Sequence, residues 1–181
     1  MKKLLCVLTL VLLTNLLFAQ KGLHSIGVGV EGGLPIGNFG EAYGVGFGAT
    51  GKAFYGITDQ GDITGTLGYL RFGMKESSAM VSGSMGMIPI MFGYRHDFGG
   101  LYGEPQLGLT MVKSRIKMDL GDFGDLFGGI GASGSGSTTK VSFGLGGGYA
   151  TGKLDFGARF QIVDSFNFLG LRIGYNFSLG K

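Results

Sequence analysis

The sequence predicts an all-β fold, an eight-stranded antiparallel up-and-down transmembrane β-barrel. Three observations support this prediction. Apolar and polar residues alternate with period two in eight segments, charged residues make up only 15% of the chain, and the amino terminus has the composition of an export signal. A water-exposed surface alone normally carries about 25 to 35% charged residues, so an ordinary soluble domain is a poor match.

The first 19 residues are expected to form a signal peptide that is removed, leaving a barrel domain at residues 20–181. Lys2 and Lys3 precede an apolar run from Leu4 to Phe18 that ends at Ala19. As a helix this run would be roughly 22 Å long, which is short of the ~30 Å hydrocarbon core of a bilayer. We therefore expect cleavage after Ala19 and not a membrane-spanning helix.

The composition of the mature chain suits one ordered domain of 162 residues. Its single cysteine, Cys6, falls within the predicted signal, so disulfides and thiolate metal sites are not expected after cleavage. Without the two signal-peptide lysines, 13 basic side chains stand against 12 acidic ones. Because the basic residues are scattered along the chain, the sequence has no footprint for nucleic-acid binding.

Period-two alternation is the signature of a β-strand, in which successive side chains point to opposite faces of the sheet. It is clearest from Leu169 to Leu179, where every second residue is apolar and the others are polar or glycine. Each segment has about nine to thirteen residues, the length that a tilted strand needs to cross a bilayer. Eight such segments begin near Ile26, Val45, Ile63, Ile88, Leu101, Val141, Leu154 and Leu169.

Short and long connections alternate between the predicted strands. The short turns lie at Thr58 to Gly61, Asp97 to Gly100 and Thr151 to Lys153, and the longer loops at Gly33 to Tyr43, Lys75 to Met85 and Lys113 to Thr138. Short periplasmic turns and longer outer loops are typical of outer-membrane barrels, which places both termini on the periplasmic side. The last loop, Asp164 to Asn167, is short and departs from this pattern.

The alternation does not itself decide which face meets lipid, since a soluble ligand-binding barrel of the lipocalin type has the same period. Charge density favours a polar lumen, because its isolated charges are too sparse for a water-facing exterior. Each arginine placed in lipid instead would cost roughly 2 to 4 kcal/mol at the midplane. Only Arg71 falls on the apolar face, where we expect it at the outer rim. The predicted lumen charges are Glu31, Lys52, Arg95, Glu104, Asp155, Arg159 and Arg172.

Two further residue types fit this arrangement. Tyr55, Tyr94 and Tyr149 lie on the apolar face close to the short turns, where an interfacial aromatic girdle belongs. Glycines on the inward face would relieve crowding in a narrow barrel and permit strong coiling. These inward positions are Gly46, Gly48, Gly144, Gly146, Gly170 and Gly174.

The carboxy-terminal residues Arg172, Gly174, Phe177 and Leu179 have a polar, glycine, apolar, apolar spacing. The stretch from Ile88 to Arg95 adds a second similarity. On these motifs the chain resembles the small outer-membrane β-barrel proteins of the OmpA/OmpX-like kind over residues 20–181. The resemblance implies that the terminal motif is an assembly signal for the outer-membrane insertion machinery, although Gly180 and Lys181 follow where the family often ends on an aromatic residue.

Residues that could carry chemistry are few, and we predict no catalytic residue, cofactor or metal site. His24 and His96 fall near the predicted periplasmic rim without an evident partner for catalysis. Asp119, Asp122 and Asp125 could offer oxygen ligands to calcium, but a solvated acidic turn is the favoured interpretation. The alternating serines and glycines from Ser133 to Ser137 have the composition of a mobile linker.

The sequence thus predicts a non-enzymatic outer-membrane barrel with a structural or surface-interaction role carried by its outer loops. The loop from Lys113 to Thr138 is the leading candidate, because its mixture of charged and apolar residues suits contact with lipopolysaccharide, membrane lipid or a surface protein. A narrow channel for small solutes or ions is the main alternative. An outer-leaflet lipid-modifying enzyme using His24 or His96 is another, and the soluble barrel is a third.

Overall fold

The computed structural model describes residues 22–75, 81–118 and 132–179. They form one short helix, α1 (Asn38–Ala42), and eight strands. The strands are β1 (Gly22–Pro35), β2 (Gly46–Gly56), β3 (Gly61–Gly73), β4 (Val81–Asp97), β5 (Leu101–Met118), β6 (Ala132–Thr151), β7 (Leu154–Ile162) and β8 (Phe168–Ser178). The predicted signal peptide lies outside the described residues.

Each strand pairs antiparallel with the next, and β8 returns to β1 to close the barrel. The closing register runs from Ser25 opposite Ser178 to Pro35 opposite Phe168. Closure gives every strand a partner on both sides, which a spanning sheet needs because lipid offers no hydrogen bonds to a free edge. The predicted all-β, eight-stranded antiparallel fold is confirmed.

The outer surface of the barrel is a continuous apolar belt. Phe47, Leu145 and Phe92 are 71%, 69% and 66% exposed, fractions that are unfavourable for such side chains in water but suit contact with lipid. Along β5 the outward apolar positions extend from Leu101 to Met111, which at a tilt of about 40° gives a height of roughly 26 Å. That height matches the apolar band of outer-membrane barrels. Among the described residues, no helix is long and apolar enough to cross a membrane.

The largest difference from the sequence prediction concerns the loop from Lys113 to Thr138. Strand β5 continues to Met118 and β6 begins at Ala132, with Lys113 opposite Ser137 in the ladder. Half of the predicted loop, residues 113–118 and 132–138, is therefore paired strand that rises above the apolar belt, and the linker interpretation of the segment from Ser133 to Ser137 is wrong. The period-two alternation continues in the outer parts of β5 and β6. Their outward residues are basic or carry a hydroxyl group, because these parts of the strands lie outside the lipid.

Two other predicted loops are also partly strand. Strand β4 begins at Val81, inside the predicted loop from Lys75 to Met85, and β1 continues to Pro35 before α1. The predicted short connection after β7 holds, since β7 ends at Ile162 and β8 begins at Phe168. The candidate calcium ligands Asp119, Asp122 and Asp125 lie outside the described residues.

A hydrophobic core fills the outer end of the lumen, the end opposite the termini. The ring of Phe39, carried by α1, lies 5.0 Å from that of Phe72 and 5.6 Å from that of Phe166, both in edge-to-face geometry. We call this cluster the apolar plug; its buried members are Phe39, Leu70, Phe72, Met85, Met87, Val112, Val163 and Phe168. The sequence analysis missed it, since these strand residues occupy the inward face that alternation elsewhere reserves for polar side chains.

Candidate functional site

Below the apolar plug the lumen contains a layer of buried charges, which we call the ionic layer. Its main ion pairs join strands that are not neighbours in the sheet, which is possible only through the interior. All seven charged side chains that the sequence predicts for the lumen meet in this layer. The four cations are Lys52, Arg95, Arg159 and Arg172, and the three anions are Glu31, Glu104 and Asp155.

Glu104 accepts three hydrogen bonds at the centre of the layer. The Nζ of Lys52 donates to Oε2 over 2.6 Å, while Thr64 Oγ1 and Gln106 Nε2 donate to Oε1 over 2.6 and 2.7 Å. These side chains are all buried. A buried carboxylate with this many donors is well compensated for its lost hydration.

Asp155 forms a second centre closer to the periplasmic end. Arg95 Nη1 donates to Oδ2 over 2.7 Å and the Tyr102 hydroxyl donates to Oδ1, also over 2.7 Å. The guanidinium of Arg95 also lies over the Tyr102 ring, 3.4 Å from its centroid, a cation–π contact. Arg172 Nη1 is 3.6 Å from Asp155 Oδ2. One carboxylate thus compensates two guanidiniums.

The third ion pair links the first and seventh strands. Arg159 Nη2 donates to Glu31 Oε1 over 2.7 Å, and its Nη1 donates to Gln106 Oε1 over 3.1 Å. Arg172 Nε completes the layer by donating to Thr50 Oγ1 over 2.9 Å. The sequence analysis missed Gln106, Thr50 and their polar neighbours as members of the layer. They could have been found, because they fall on the inward-facing positions of β5 and β2.

Inward glycines make room for this network. A Cβ on Gly170 would lie 2.5 Å from Glu31 Oε1, and one on Gly174 would lie 2.5 Å from Arg172 Nη1. A side chain at either of these two positions on β8 would therefore displace a charged group of the network. A cavity of about 30 Å³ is bordered by the ionic layer and has room for one or two water molecules.

The two histidines lie at the periplasmic end, outside the ionic layer. His24 Nε2 is 3.0 Å from Asp62 Oδ1, and the Tyr94 hydroxyl lies 3.3 Å from His96 Nδ1. The expectation that His24 has no converging partner is therefore wrong, because pairing of β1 with β2 and β2 with β3 brings a carboxylate from β3 to the same rim. Within the described ranges, no group of three or more histidine, cysteine, aspartate or glutamate side chains is arranged to hold a metal ion.

The residues of the predicted assembly signal divide between the two faces of β8. Arg172 and Gly174 point into the lumen, where Arg172 belongs to the ionic layer. Phe177 and Leu179 are 50% and 42% exposed on the outside. The arginine thus has a structural role in the folded barrel that is independent of recognition during assembly.

Comparison with known proteins finds similarity in structure only. No protein-family model matches the sequence, and no curated protein matches it. The barrel superposes on Ail, the attachment invasion locus protein of Yersinia pestis, with a TM-score of 0.63 at 18% identity, covering 87% of this chain and 100% of Ail. Ail has also been solved in complex with the heparin analogue sucrose octasulfate.

Two barrels from Pseudomonas aeruginosa are similar as well. The outer membrane protein OprG matches with a TM-score of 0.56 at 10% identity, covering 87% of this chain and 97% of OprG. The N-terminal β-barrel domain of OprF matches with a TM-score of 0.51 at 17% identity, covering 87% and 100%. With its closed eight-stranded sheet and continuous apolar belt, the chain is therefore a small transmembrane β-barrel of the outer-membrane type.

Proposed function

We propose that this protein is a non-enzymatic outer-membrane barrel that conducts no solute and presents its outer end to components of the cell surface. The observation that carries this proposal is the packing of side chains in the lumen. The ionic layer and the apolar plug lie one above the other, and the cavity beside the ionic layer holds only one or two waters. A transport path would need both layers to open together.

The shape of the outer end supports a surface role. Strands β4, β5 and β6 have 17, 18 and 20 residues, whereas β7 and β8 have 9 and 11. The longer strands form a wall on one side of the barrel that extends beyond the apolar belt. Such a wall is a rigid support for recognition residues, which loops alone do not provide.

We propose three classes of partner for the outer surface and the assembly pathway. Membrane lipid and lipopolysaccharide would contact the wall, and a surface protein would bind the connection between Met118 and Ala132. The insertion machinery would bind the carboxy-terminal motif after residues 1–19 are removed as a signal peptide. The complex of Ail with a heparin analogue supports the first class, because it is a barrel of this fold bound to a polyanion.

Refolded protein in planar bilayers is expected to give no discrete conductance steps. The reason is that side chains bond across the described part of the lumen at the level of the ionic layer and so obstruct a continuous path for water. Insertion is checked on the same preparation by a heat-modifiability gel, in which a folded barrel migrates differently before and after boiling. Reproducible unitary steps from folded protein would contradict the closed lumen and favour the channel alternative.

Excision of residues 119–131, with an Asn-Gly turn joining Met118 to Ala132, is expected to leave the barrel folded and to weaken its surface interactions. These two residues face each other in the ladder, and a two-residue turn suits such a hairpin. The readouts are binding of purified lipopolysaccharide and sensitivity of intact cells to detergent. As a matched control, residues 58–60 of the periplasmic turn are replaced by the same dipeptide. Unchanged readouts in the excised variant would refute a surface role for this connection.

A further inference from the structure

Three outward-facing cations lie together on the outer face of β3 and of the adjacent wall strands β4 and β5. Arg71 on β3 shares a row of the sheet with Gly86 and Lys113, and Arg115 lies on the next row, opposite Ser84. All three cations are exposed. The sequence analysis placed Lys113 and Arg115 in a loop, so their position on a rigid strand face is a finding of the structure.

Between two of these cations is a concave site. It has a volume of about 250 Å³, and Arg71 and Arg115 stand on opposite sides with the hydroxyls of Ser82 and Ser84 between them. Arg71 Nη2 points at Ser84 Oγ over 3.4 Å. Lys113 does not border the site. The volume is below the range of about 300 to 1,000 Å³ that is usual for whole small-molecule ligands, so the site suits one chemical group of a larger molecule.

These cations have no counter-charge in the described part of the chain. The described ion pairs involve the ionic layer, His24 with Asp62, and Lys140 with Asp164, and none includes Arg71, Lys113 or Arg115. Like charges held close together on one face of a sheet repel each other. Such an arrangement favours an anion that comes from outside the chain.

The height of the site identifies where the anion comes from. On β5 the apolar belt ends at Met111, and Lys113 is the next outward residue. On β3 the outward residue below Arg71 is Tyr69, and its hydroxyl lies over Gly86, 3.2 Å from where a Cβ would be. A tyrosine with its hydroxyl pointing away from the belt marks the membrane interface. The site is therefore level with the headgroups of the outer leaflet.

We infer that the site between Arg71 and Arg115 binds the phosphate group of an anionic lipid of the outer leaflet. Guanidinium groups donate paired, charge-assisted hydrogen bonds to phosphate oxygens, and the serine hydroxyls supply further donors. The acyl chains of the same lipid lie along the apolar belt directly below. This inference deepens the proposed surface role and gives the wall a lipid ligand.

The test uses the full mature chain refolded in phosphatidylcholine vesicles that contain a minor fraction of spin-labelled phosphatidic acid, whose headgroup is a phosphate monoester. We expect selective association of phosphatidic acid over phosphatidylcholine with the wild type. Arg71→Gln and Arg115→Gln should each reduce that selectivity about tenfold. Lys113→Gln is the matched control, since it removes one charge at the same height outside the site, and should change selectivity less than about twofold.

Each other outcome overturns the inference. Equal losses in all three variants would mean that rim charge alone attracts the lipid, and no loss in either arginine variant would mean that the site does not bind it. If inorganic phosphate displaced the label at low concentration, the ligand would be a free anion and not a lipid headgroup. The conductance measurement is independent, so failure of lipid binding with a non-conducting barrel would reject this inference and leave the closed-lumen proposal standing.

Discussion

Replacement of Asp155 by alanine is expected to lower the free energy of unfolding by about 3 to 5 kcal/mol. Asp155 is fully buried and is the anion shared by Arg95 and Arg172. Its removal deprives two buried guanidiniums of their ion-pair partner and leaves the Tyr102 hydroxyl without its acceptor. The loss of stability comes from the groups that remain, since a buried charge without a partner destabilises the fold more than an apolar side chain in its place would. Equilibrium urea unfolding in lipid vesicles measures the difference.

The chain contains a matched control for this prediction. Asp164 also forms an ion pair, with Lys140 Nζ 2.9 Å from its Oδ2, but both side chains are well exposed. Asp164→Asn, which suits the positive φ of 51° at this position, should therefore cost only about 0 to 1 kcal/mol. The variant Asp155→Asn keeps the shape and an acceptor for Tyr102 while removing the charge, so we expect an intermediate loss. If the buried and exposed aspartates proved equally dispensable, the ionic layer would not contribute to stability as the geometry indicates.

Truncation of Phe72 to alanine is expected to cost about 3 to 5 kcal/mol and to loosen the outer mouth. The Phe72 ring is fully buried at the centre of the apolar plug, between Phe39 of α1 and Phe168 of β8. A rigid sheet closed by hydrogen bonds on both sides collapses poorly around a lost ring, so most of the cavity would remain. The same unfolding measurement applies, together with proteolysis of the segment that carries α1, which Phe39 anchors.

Phe98 provides the comparison for the loss of an aromatic ring. It lies in the periplasmic turn and is 68% exposed, so Phe98→Ala removes the same atoms without leaving a cavity. We expect a change within about 0.5 kcal/mol. A loss at Phe72 no larger than that at Phe98 would show that the plug does not hold the barrel closed at its outer end.

Much of the barrel was predictable because the alternation of side chains between the two faces of a strand is a local property of the sequence. The alternation from Leu169 to Leu179 is enough to identify a strand with one apolar face, and the low charge density indicates lipid on that face. Parity also assigns Glu31, Arg159 and the other inward charges to a common interior. Even strand number and short turns then set both termini on one side. None of these steps requires knowledge of which strand lies opposite which.

Other features were not predictable because they depend on contacts across the barrel. That Asp155 serves two arginines, and that Lys52 meets Glu104 and not Glu31, is decided by strand tilt and register around the closed sheet. The apolar plug was missed because inward apolar residues weaken the alternation locally. The wall was missed because serine, glycine and lysine resemble a loop in composition even when they form a ladder.

The sequence by itself determined that the chain is a lipid-facing barrel, because hydrophobic alternation and scarce charge are properties of residue order alone. Only the tertiary structure decided that an ionic layer and an apolar plug occupy the lumen and that Arg71 and Arg115 border one site. Their spacing along the chain is 44 residues, and they meet because β4 lies between their strands with its serines facing the same way. Side chains that far apart in sequence become neighbours through register, which is a property of the closed sheet.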